Sequence, residues 1–213
     1  MSAVTEEIFA TASASASQCG LTSGTAAAPV HRSWAEVHTV ARRMAGVLAG
    51  LGVGPGASVA VLAADAGDVA PLAQALWMRR AAITMLQQPT PRTDLTVWLS
   101  DTVRVVDMLH ADLVVVGEPF LEAVAHIGKS NLPVAAMSAL RQGEPCELLD
   151  ATESDVALRQ LTSGSTGTPK AVEISHGNLA ANGIAIRTAL AIVPGRDVSV
   201  SWLPPSSSAR IHW

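Results

Sequence analysis

The chain alternates between short continuous runs of apolar residues and longer stretches in which apolar residues recur three and four positions apart. The continuous runs predict buried strands, and the spaced stretches predict amphipathic helices. The predicted strands occupy residues 58–63, 82–86, 112–116, 133–137, 155–161, 171–174 and 198–203. The predicted helices occupy residues 33–51, 68–80, 94–109, 118–128 and 176–190. This alternation is typical of βαβ units, so we expect an α/β fold with a largely parallel sheet and helices on both faces.

Local signals mark the ends of several elements. Ser33 and Glu36 have the spacing of a capping box at the start of the first predicted helix. The glycines and proline of residues 52–56 predict the turn that ends this helix. Residues 11–30 are rich in Ala, Ser, Thr and Gly and predict loop or weak edge structure, while residues 139–154 predict a connecting loop.

Composition narrows the class of protein. Of the 213 residues 49% are hydrophobic, enough for a sizeable core, and the net charge of −4 offers no basic stripe to neutralise phosphates. We therefore expect neither a nucleic-acid nor an anionic-membrane partner. Cys19 and Cys146 lack metal-ligand spacing and are expected to be reduced thiols. The N-terminus lacks the charged start of a signal peptide, and no apolar run reaches the roughly 18 residues of a membrane span. These features predict a soluble, cytoplasmic protein.

Residues 162–170 read TSGSTGTPK and end at Lys170, one of only two lysines in the chain. Backbone N–H groups of such a glycine-rich turn can bind an anion, hydroxyls add donors, and lysine adds a positive charge. The spacing differs from that of a Walker A loop and from the dinucleotide-binding G-x-G-x-x-G pattern. Composition alone leaves a phosphate cradle and an ordinary polar surface loop open. The position after a predicted strand favours the cradle, because α/β sheets bind ligands at the carboxyl ends of their strands.

The same nine residues match every position of Ser/Thr-Ser/Thr-Gly-Ser/Thr-Thr-Gly-x-Pro-Lys, the phosphate-binding signature of the adenylate-forming superfamily. They are followed by AVEISHGNL, which resembles the S-H-x-N that trails this signature. Upstream, WAEVHTVARRMAGVLAGLGVGPGASVAVLA resembles the early helix, turn and strand of these enzymes. ALWMRRAAITMLQQPTPRTDL and SWLP at 201–204 are similar to the fatty-acyl-AMP ligase branch, above all to members associated with polyketide synthases. The resemblance covers residues 5 to 204.

This resemblance implies that a fatty acid's carboxylate attacks the α-phosphate of ATP, with Mg²⁺ present, to give acyl-adenylate and pyrophosphate. The acyl group then passes to the thiol of an acyl-carrier protein, which a polyketide synthase can supply. The resemblance also implies the residues that line the loop around the β- and γ-phosphates: Thr162, Ser163, Gly164, Ser165, Thr166, Gly167 and Lys170. Lys170 would be the main charge partner of the departing pyrophosphate, and Pro169 would shape the loop. Such a loop positions the phosphates and neutralises oxygen charge.

The tail departs from the family pattern. After SWLP the family carries a His-Asp pair and an apolar helix, whereas Pro205–Arg210 contain neither and His212 is displaced. We therefore divide the chain into an N-terminal segment at 1–30, a partial N-terminal AMP-binding domain at 31–204 and an aberrant tail at 205–213. A shifted reading frame or early stop is the preferred explanation, and a deliberately shortened or tagged chain is the second.

The family's catalytic lysine lies in a C-terminal domain outside this chain, so no catalytic residue is assigned and no metal ligand is named. We expect the chain alone not to adenylate fatty acids, and to expose apolar surface that promotes self-association. Two alternatives stay open: a fragment of an acyl-CoA synthetase, and a non-catalytic remnant or binding module.

Other conspicuous residues have structural explanations. We expect Ser175 to cap the last helix, His176 to have a structural role, and Asp65 and Asp68 to serve in capping. Packing is the expected role of Trp34, Trp77 and Trp98. No partner at ligand spacing is found for His31, His38, His110 and His126. Solvated helix faces, able to meet an acidic carrier protein, are expected for Arg42–Arg43 and Arg79–Arg80.

Overall fold

The computed structural model describes residues 1–14, 19–123, 132–162 and 170–201. Its helices are α1 (Ala3–Ala14), α2 (Trp34–Gly50), α3 (Ala66–Trp77), α4 (Leu95–Met108), the short α5 (Met137–Leu140) and α6 (His176–Ala189). Its strands are β1 (Gly20–Thr25), β2 (Ala28–Ser33), β3 (Ser58–Leu62), β4 (Ala82–Met85), β5 (Leu113–Val116), β6 (Val134–Ala136), β7 (Val156–Thr162) and β8 (Lys170–Ser175).

Six strands form the central sheet in the order β6-β5-β3-β4-β7-β8. All neighbours are parallel except β7 and β8, which pair antiparallel as a hairpin. Strands β1 and β2 form a separate antiparallel hairpin beside α2. The predicted α/β fold with a largely parallel sheet is therefore confirmed.

Short polar side chains start the helices where the sequence predicts. The Ser33 N–H donates to the Glu36 carboxylate (2.7 Å), and the Glu36 N–H donates to Ser33 Oγ (3.3 Å), which completes the capping box of α2. Asp65 caps α3 and Asp94 caps α4 through carboxylates that accept from first-turn N–H groups. Each cap satisfies a backbone donor that has no partner within its own helix.

The two faces of the sheet bury different sets of side chains. Because side chains alternate along a strand, Val59 and Val61 of β3 face α2 and α3, whereas Ala60 and Leu62 face α4. The α2/α3 face also receives side chains from α1 and α6. On the opposite face, here called the α4 face, Val106 and Leu109 pack over β3 and β5. Helices therefore lie on both faces, and the strands near β5 and β3 are covered twice.

Four segments differ from the sequence predictions. Helix α1 was not predicted, because Thr, Ser and β-branched residues give it weak intrinsic propensity; contacts with α2 and α6 stabilise it instead. Residues 20–33, expected in large part to be loop or weak edge structure, form the β1–β2 hairpin.

The helix predicted at 118–128 and the strand predicted at 198–203 are also wrong within the described part. Residues 118–120 are not helical, in keeping with Pro119, which disfavours helix at the preceding residue, and Leu121–Ala123 form only a 3₁₀ turn. Residues 198–201 pair with no strand of the described chain, so the apolar Val198 and Val200 stay 87% and 83% exposed. The remainders of both segments lie outside the described residues.

No helix in the described ranges combines the length and the apolar character that crossing a bilayer requires.

Candidate phosphate-binding hairpin

Strand β7 ends at the first residue of the motif at 162–170, and strand β8 begins at its last residue. Thr162 and Lys170 are paired across the two strands, and the Thr162 hydroxyl donates to the Lys170 carbonyl oxygen (3.4 Å). Both residues are exposed, and Lys170 is the one lysine among the residues that the structure describes. The other five predicted site residues, Ser163, Gly164, Ser165, Thr166 and Gly167, lie outside those ranges. The structure thus places the two ends of the predicted loop side by side.

The hairpin stands at the carboxyl edge of the parallel strands. Leu158 of β7 is in register with Ile83 of β4, so both strands run toward the same edge, where β7 ends at Thr162. The segment after β4 is fixed there by two hydrogen bonds. Gln88 Nε2 donates to the Ala63 carbonyl (2.9 Å), and Trp98 Nε1 donates to the Gln87 carbonyl (2.8 Å). This edge is where ligands bind in open α/β sheets.

A cross-strand ion pair stiffens the hairpin three residues below the loop. Arg159 Nε lies 3.0 Å from Glu173 Oε1, and the two residues are direct partners in the β7–β8 register. This pair explains how a charged residue is accommodated within a strand. Leu158 packs into the core on the α2/α3 face of the sheet, whereas Arg159 lies on the α4 face, which α4 covers only in part. Opposite charges on facing positions stabilise a strand pair.

The start of β7 is anchored by Asp155 and Trp77. Both Asp155 carboxylate oxygens accept from the Arg80 guanidinium (2.9 and 3.0 Å), and the carboxylate also accepts from the Thr152 N–H (2.7 Å). Hydrogen bonding from Arg80 holds the pKa of Asp155 below its usual range. Trp77 Nε1 donates to the Ala157 carbonyl (2.9 Å), which ties β7 to the end of α3.

Helix α6 begins directly after the hairpin, and His176 fixes its first turn. Ser175 and Asn178 form a capping box, and the His176 N–H donates to the Asp155 carbonyl (3.0 Å). The His176 ring is fully buried, lies 3.0 Å through Nδ1 from Ser2 Oγ, and meets Trp77 edge-on at 5.8 Å. Burial lowers the pKa of this imidazole. The expected structural roles of Ser175 and His176 are therefore confirmed.

Several other predictions can be settled from the contacts. Asp65 caps α3 as expected, whereas Asp68 forms an ion pair with Arg141. The solvated helix face expected for Arg79–Arg80 is wrong. Both residues follow the end of α3, Arg79 donates to the Val53 and Glu147 carbonyls, and Arg80 binds Asp155.

The other residues singled out in the sequence lie in the following environments. Trp77 is buried, and Trp34 and Trp98 are half-buried. Cys19 and Cys146 are free. His126 lies outside the described residues. No group of three His, Cys, Asp or Glu side chains placed to hold a metal occurs in the described ranges.

Comparison with known proteins identifies the family. The model of the AMP-binding enzyme family matches residues 15–212, which is most of the chain. The chain belongs to the AMP-binding enzyme family. A curated relative from Mycobacterium tuberculosis (strain ATCC 25618 / H37Rv), Rv1013, is named as a ligase and is 46% identical to this chain over 204 residues. That match covers 96% of this chain but only 37% of Rv1013, so the chain spans about a third of the length of its relative.

Several solved structures have the same fold as this chain. An adenylation domain of a keto acid-selecting non-ribosomal peptide synthetase module, bound to keto acyl adenylate, matches with a TM-score of 0.82 at 22% identity. The match covers 96% of this chain and 37% of that one. One chain from a structural study of fatty acyl-adenylate ligases from E. coli and L. pneumophila also matches, with a TM-score of 0.82 at 22% identity, over 97% of this chain and 38% of that one. At this level of identity the likeness establishes the fold.

Proposed function

We propose that the β7–β8 hairpin is the ATP phosphate-binding element of an acyl-adenylate-forming ligase that activates fatty acids. One observation carries the proposal: Thr162 and Lys170 are paired across the hairpin at the carboxyl edge of the sheet. The seven site residues are Thr162, Ser163, Gly164, Ser165, Thr166, Gly167 and Lys170. Because Thr162 and Lys170 are both exposed, the hydroxyl and ammonium groups are accessible to a polyphosphate without any rearrangement of the sheet.

The proposed chemistry follows from what this element can supply. A fatty-acid carboxylate attacks the α-phosphate of ATP, the bond to the β-phosphate breaks, and pyrophosphate leaves as the acyl-adenylate forms. Lys170 lowers the energy of the leaving group by placing a positive charge beside its oxygens, while loop N–H and hydroxyl groups orient it. The Arg159–Glu173 pair holds β7 and β8 in register, which keeps Thr162 beside Lys170.

Mg²⁺ would enter with ATP and neutralise phosphate oxygens. The donors available at the described ends of the loop, a hydroxyl and an ammonium group, fit phosphate rather than a metal ion. We assign the metal no protein ligand.

The acyl group would pass to the thiol of an acyl-carrier protein, such as one belonging to a polyketide synthase, in the cytoplasm. This chain would contribute the phosphate-binding element of such an enzyme, and it spans about a third of the length of its relative. Supplying coenzyme A or holo-carrier protein to a full-length relative would show which thiol accepts the acyl group.

Calorimetric titration of pyrophosphate, and separately of MgATP, into the purified chain tests the proposal. We expect binding that Lys170→Gln weakens by about tenfold, which corresponds to loss of one charge-assisted phosphate contact. Arg104→Gln is the matched control, because Arg104 is an exposed cation on α4 whose only described ion-pair partner is Asp101. A wild-type chain that binds neither compound, or equal binding by the Lys170 variant, would contradict the proposal. Fatty-acid-dependent ATP–pyrophosphate exchange by the chain alone would contradict the expected lack of adenylation.

A further inference from the structure

Helix α1 and the residue before it contact one histidine on α2 and one on α6. Ser2, directly before the helix, places its Oγ atom 3.0 Å from Nδ1 of His176, whose ring is fully buried. Farther along, the ring of Phe9 meets the half-buried ring of His38 edge-on, with 5.0 Å between the ring centroids. Docked α1 therefore helps to exclude water from two groups whose charge can change near neutral pH.

The surroundings of His176 suit a neutral imidazole. Its Nε2 atom is buried and has no hydrogen-bond partner among the described residues. With its proton on Nδ1, the neutral ring donates to Ser2 Oγ, and Nε2 keeps only a lone pair. Uptake of a second proton would add a charged N–H donor at Nε2, where no described acceptor pairs with it. Burying such a donor is costly.

The carboxylates near His176 reduce this cost without removing it. Those of Asp155 and Glu153, in the segment before β7, raise the pKa of His176, but burial lowers this pKa by more. Both carboxylates are engaged elsewhere, because Asp155 binds Arg80 and Glu153 accepts from the Ala3 N–H (2.6 Å). The docked ring therefore stays neutral at a pH where a solvated imidazole takes up a proton.

His38 is held in a form that also resists a second proton. Gln74 Oε1 on α3 accepts from its Nδ1 (3.3 Å), so an added proton would go to Nε2. Burial lowers the pKa of His38 and the positive charge of Arg42 lowers it further, whereas the hydrogen bond with Gln74 raises it. Phe9, the residue that α1 places against this ring, carries no charge that could compensate an imidazolium.

We propose that α1 is a pH-sensitive strap, docked on α2 and α6 while His38 and His176 are neutral and released when they take up protons. Release gives both rings to water, which solvates the imidazolium form, so proton uptake and release favour each other. The one ion pair between α1 and α6 in the described chain, Glu7 with Arg187, is partly exposed and holds the strap only weakly.

The sign and the extent of this switch follow from the same contacts. Because the docked state binds protons less readily than the released state, docking is complete above about pH 6.5 and weakens as the pH falls from there. Helix α1 has weak intrinsic propensity and depends on these contacts, so it can open without disrupting the buried sheet. The inference concerns α1 and is independent of phosphate binding at the hairpin.

Hydrogen–deuterium exchange of the full chain, followed by mass spectrometry at pH 7.5, 6.5 and 5.5 and corrected for the intrinsic exchange rate, tests the strap. We expect the protection of α1 amides to fall by about tenfold between pH 7.5 and 5.5, because two proton uptakes act in the same direction. At each pH the buried amides of β3 should stay better protected than those of α1. The double variant His38→Gln/His176→Gln should lose this pH dependence, whereas His31→Gln, a change at an exposed histidine of β2, should keep it.

Each of three results would overturn the proposal. Equal α1 protection at pH 7.5 and 5.5 would show that docking does not respond to protons. Equal protection of α1 and β3 at every pH would show that α1 opens only when the whole chain unfolds. A pH dependence that persists in the double variant would assign it to other groups. Circular dichroism verifies the folding of each variant. If the double variant does not fold, His38→Gln alone decides, and a fall in α1 protection as large as that of the wild type overturns the proposal.

Discussion

Gly46, in the C-terminal half of α2, is expected to be intolerant of even one additional methyl group. A Cβ atom at this position would lie 1.8 Å from the Glu144 carbonyl oxygen and 3.0 Å from the Glu144 carbonyl carbon. The contact is with backbone, which cannot swing aside as a side chain can. The connector that carries Glu144 is also held in place, because the Leu149 N–H donates to the Met78 carbonyl (2.9 Å) and Arg79 donates to the Glu147 carbonyl. Gly46→Ala must therefore move the helix or the connector.

Two opposing effects set the magnitude of the Gly46→Ala change. Replacing glycine by alanine inside a helix favours folding by about 1 kcal/mol, whereas overpacking a tight contact costs about 1–3 kcal/mol or more. With backbone at 1.8 Å the steric cost should exceed the gain, so we expect a net loss of about 1–2 kcal/mol. For an unfolding m-value of about 2 kcal/mol/M, this loss lowers the urea midpoint by about 0.5–1 M.

Gly50, at the end of the same helix, is the matched control. A Cβ there would meet nothing within 4 Å, so Gly50→Ala should leave stability unchanged or raise it by up to about 1 kcal/mol. Urea unfolding followed by circular dichroism at 222 nm measures both variants. If Gly46→Ala is as stable as Gly50→Ala, the connector yields freely and the argument from close backbone contact is wrong.

Three further predictions concern acid stability, the anchor of β7 and association. Burial lowers the pKa of His176, so the native state binds a proton at this imidazole less readily than the unfolded chain does. The resulting contribution to the free energy of unfolding is complete above about pH 6.5, and it is lost as the pH falls from there toward the lowered pKa. Urea midpoints should therefore decrease as the pH is lowered from 7.5 to 5. His176→Gln should make this decrease smaller, whereas His31→Gln, a change at an exposed histidine, should not. An unchanged decrease in His176→Gln would refute the attribution of the pH dependence to His176. Asp155→Asn should lower the urea midpoint at pH 7, because it weakens the pair with the partly exposed Arg80. Because Arg80 holds the pKa of Asp155 below 3.8, the wild-type chain should lose this advantage over the variant as the pH falls through the lowered pKa; equal urea midpoints at pH 7 would count against the anchor. Ile184 is 56% exposed on α6, so Ile184→Glu should reduce self-association in sedimentation velocity, and a wild-type chain that is a strict monomer would contradict this expectation.

Sequence patterns predicted the elements whose local signals and burial agree. Strand β3 is five consecutive buried residues, as its apolar run predicts. Helix α2 starts at a capping box and ends at a glycine turn, so its hydrophobic periodicity and its capping and turn residues indicate the same boundaries. Helix α1 had neither a strong pattern nor good propensity. Its position depends on two long-range contacts. Ser2 contacts His176 across 174 residues of sequence, and the Ala3 N–H donates to Glu153 (2.6 Å) across 150 residues.

For the candidate site, the residue types were readable from the sequence and their arrangement was not. The motif at 162–170 indicated phosphate chemistry because glycines, hydroxyls and a lysine occur together in one short stretch. That β7 and β8 pair antiparallel, with Thr162 beside Lys170, could not be read from either strand alone. Likewise, the sequence does not show that Arg159, a charged residue within a strand, pairs with Glu173 across the hairpin.

The sequence by itself determined the α/β alternation, the helix caps and the family signature, because each depends on residues within a few positions of one another. Tertiary structure alone decided the sheet order, the burial of His176 between Ser2 and Trp77, and the packing of α1 on α2 and α6. These depend on strand partners and buried contacts between residues far apart in sequence, which hydrophobic periodicity does not specify.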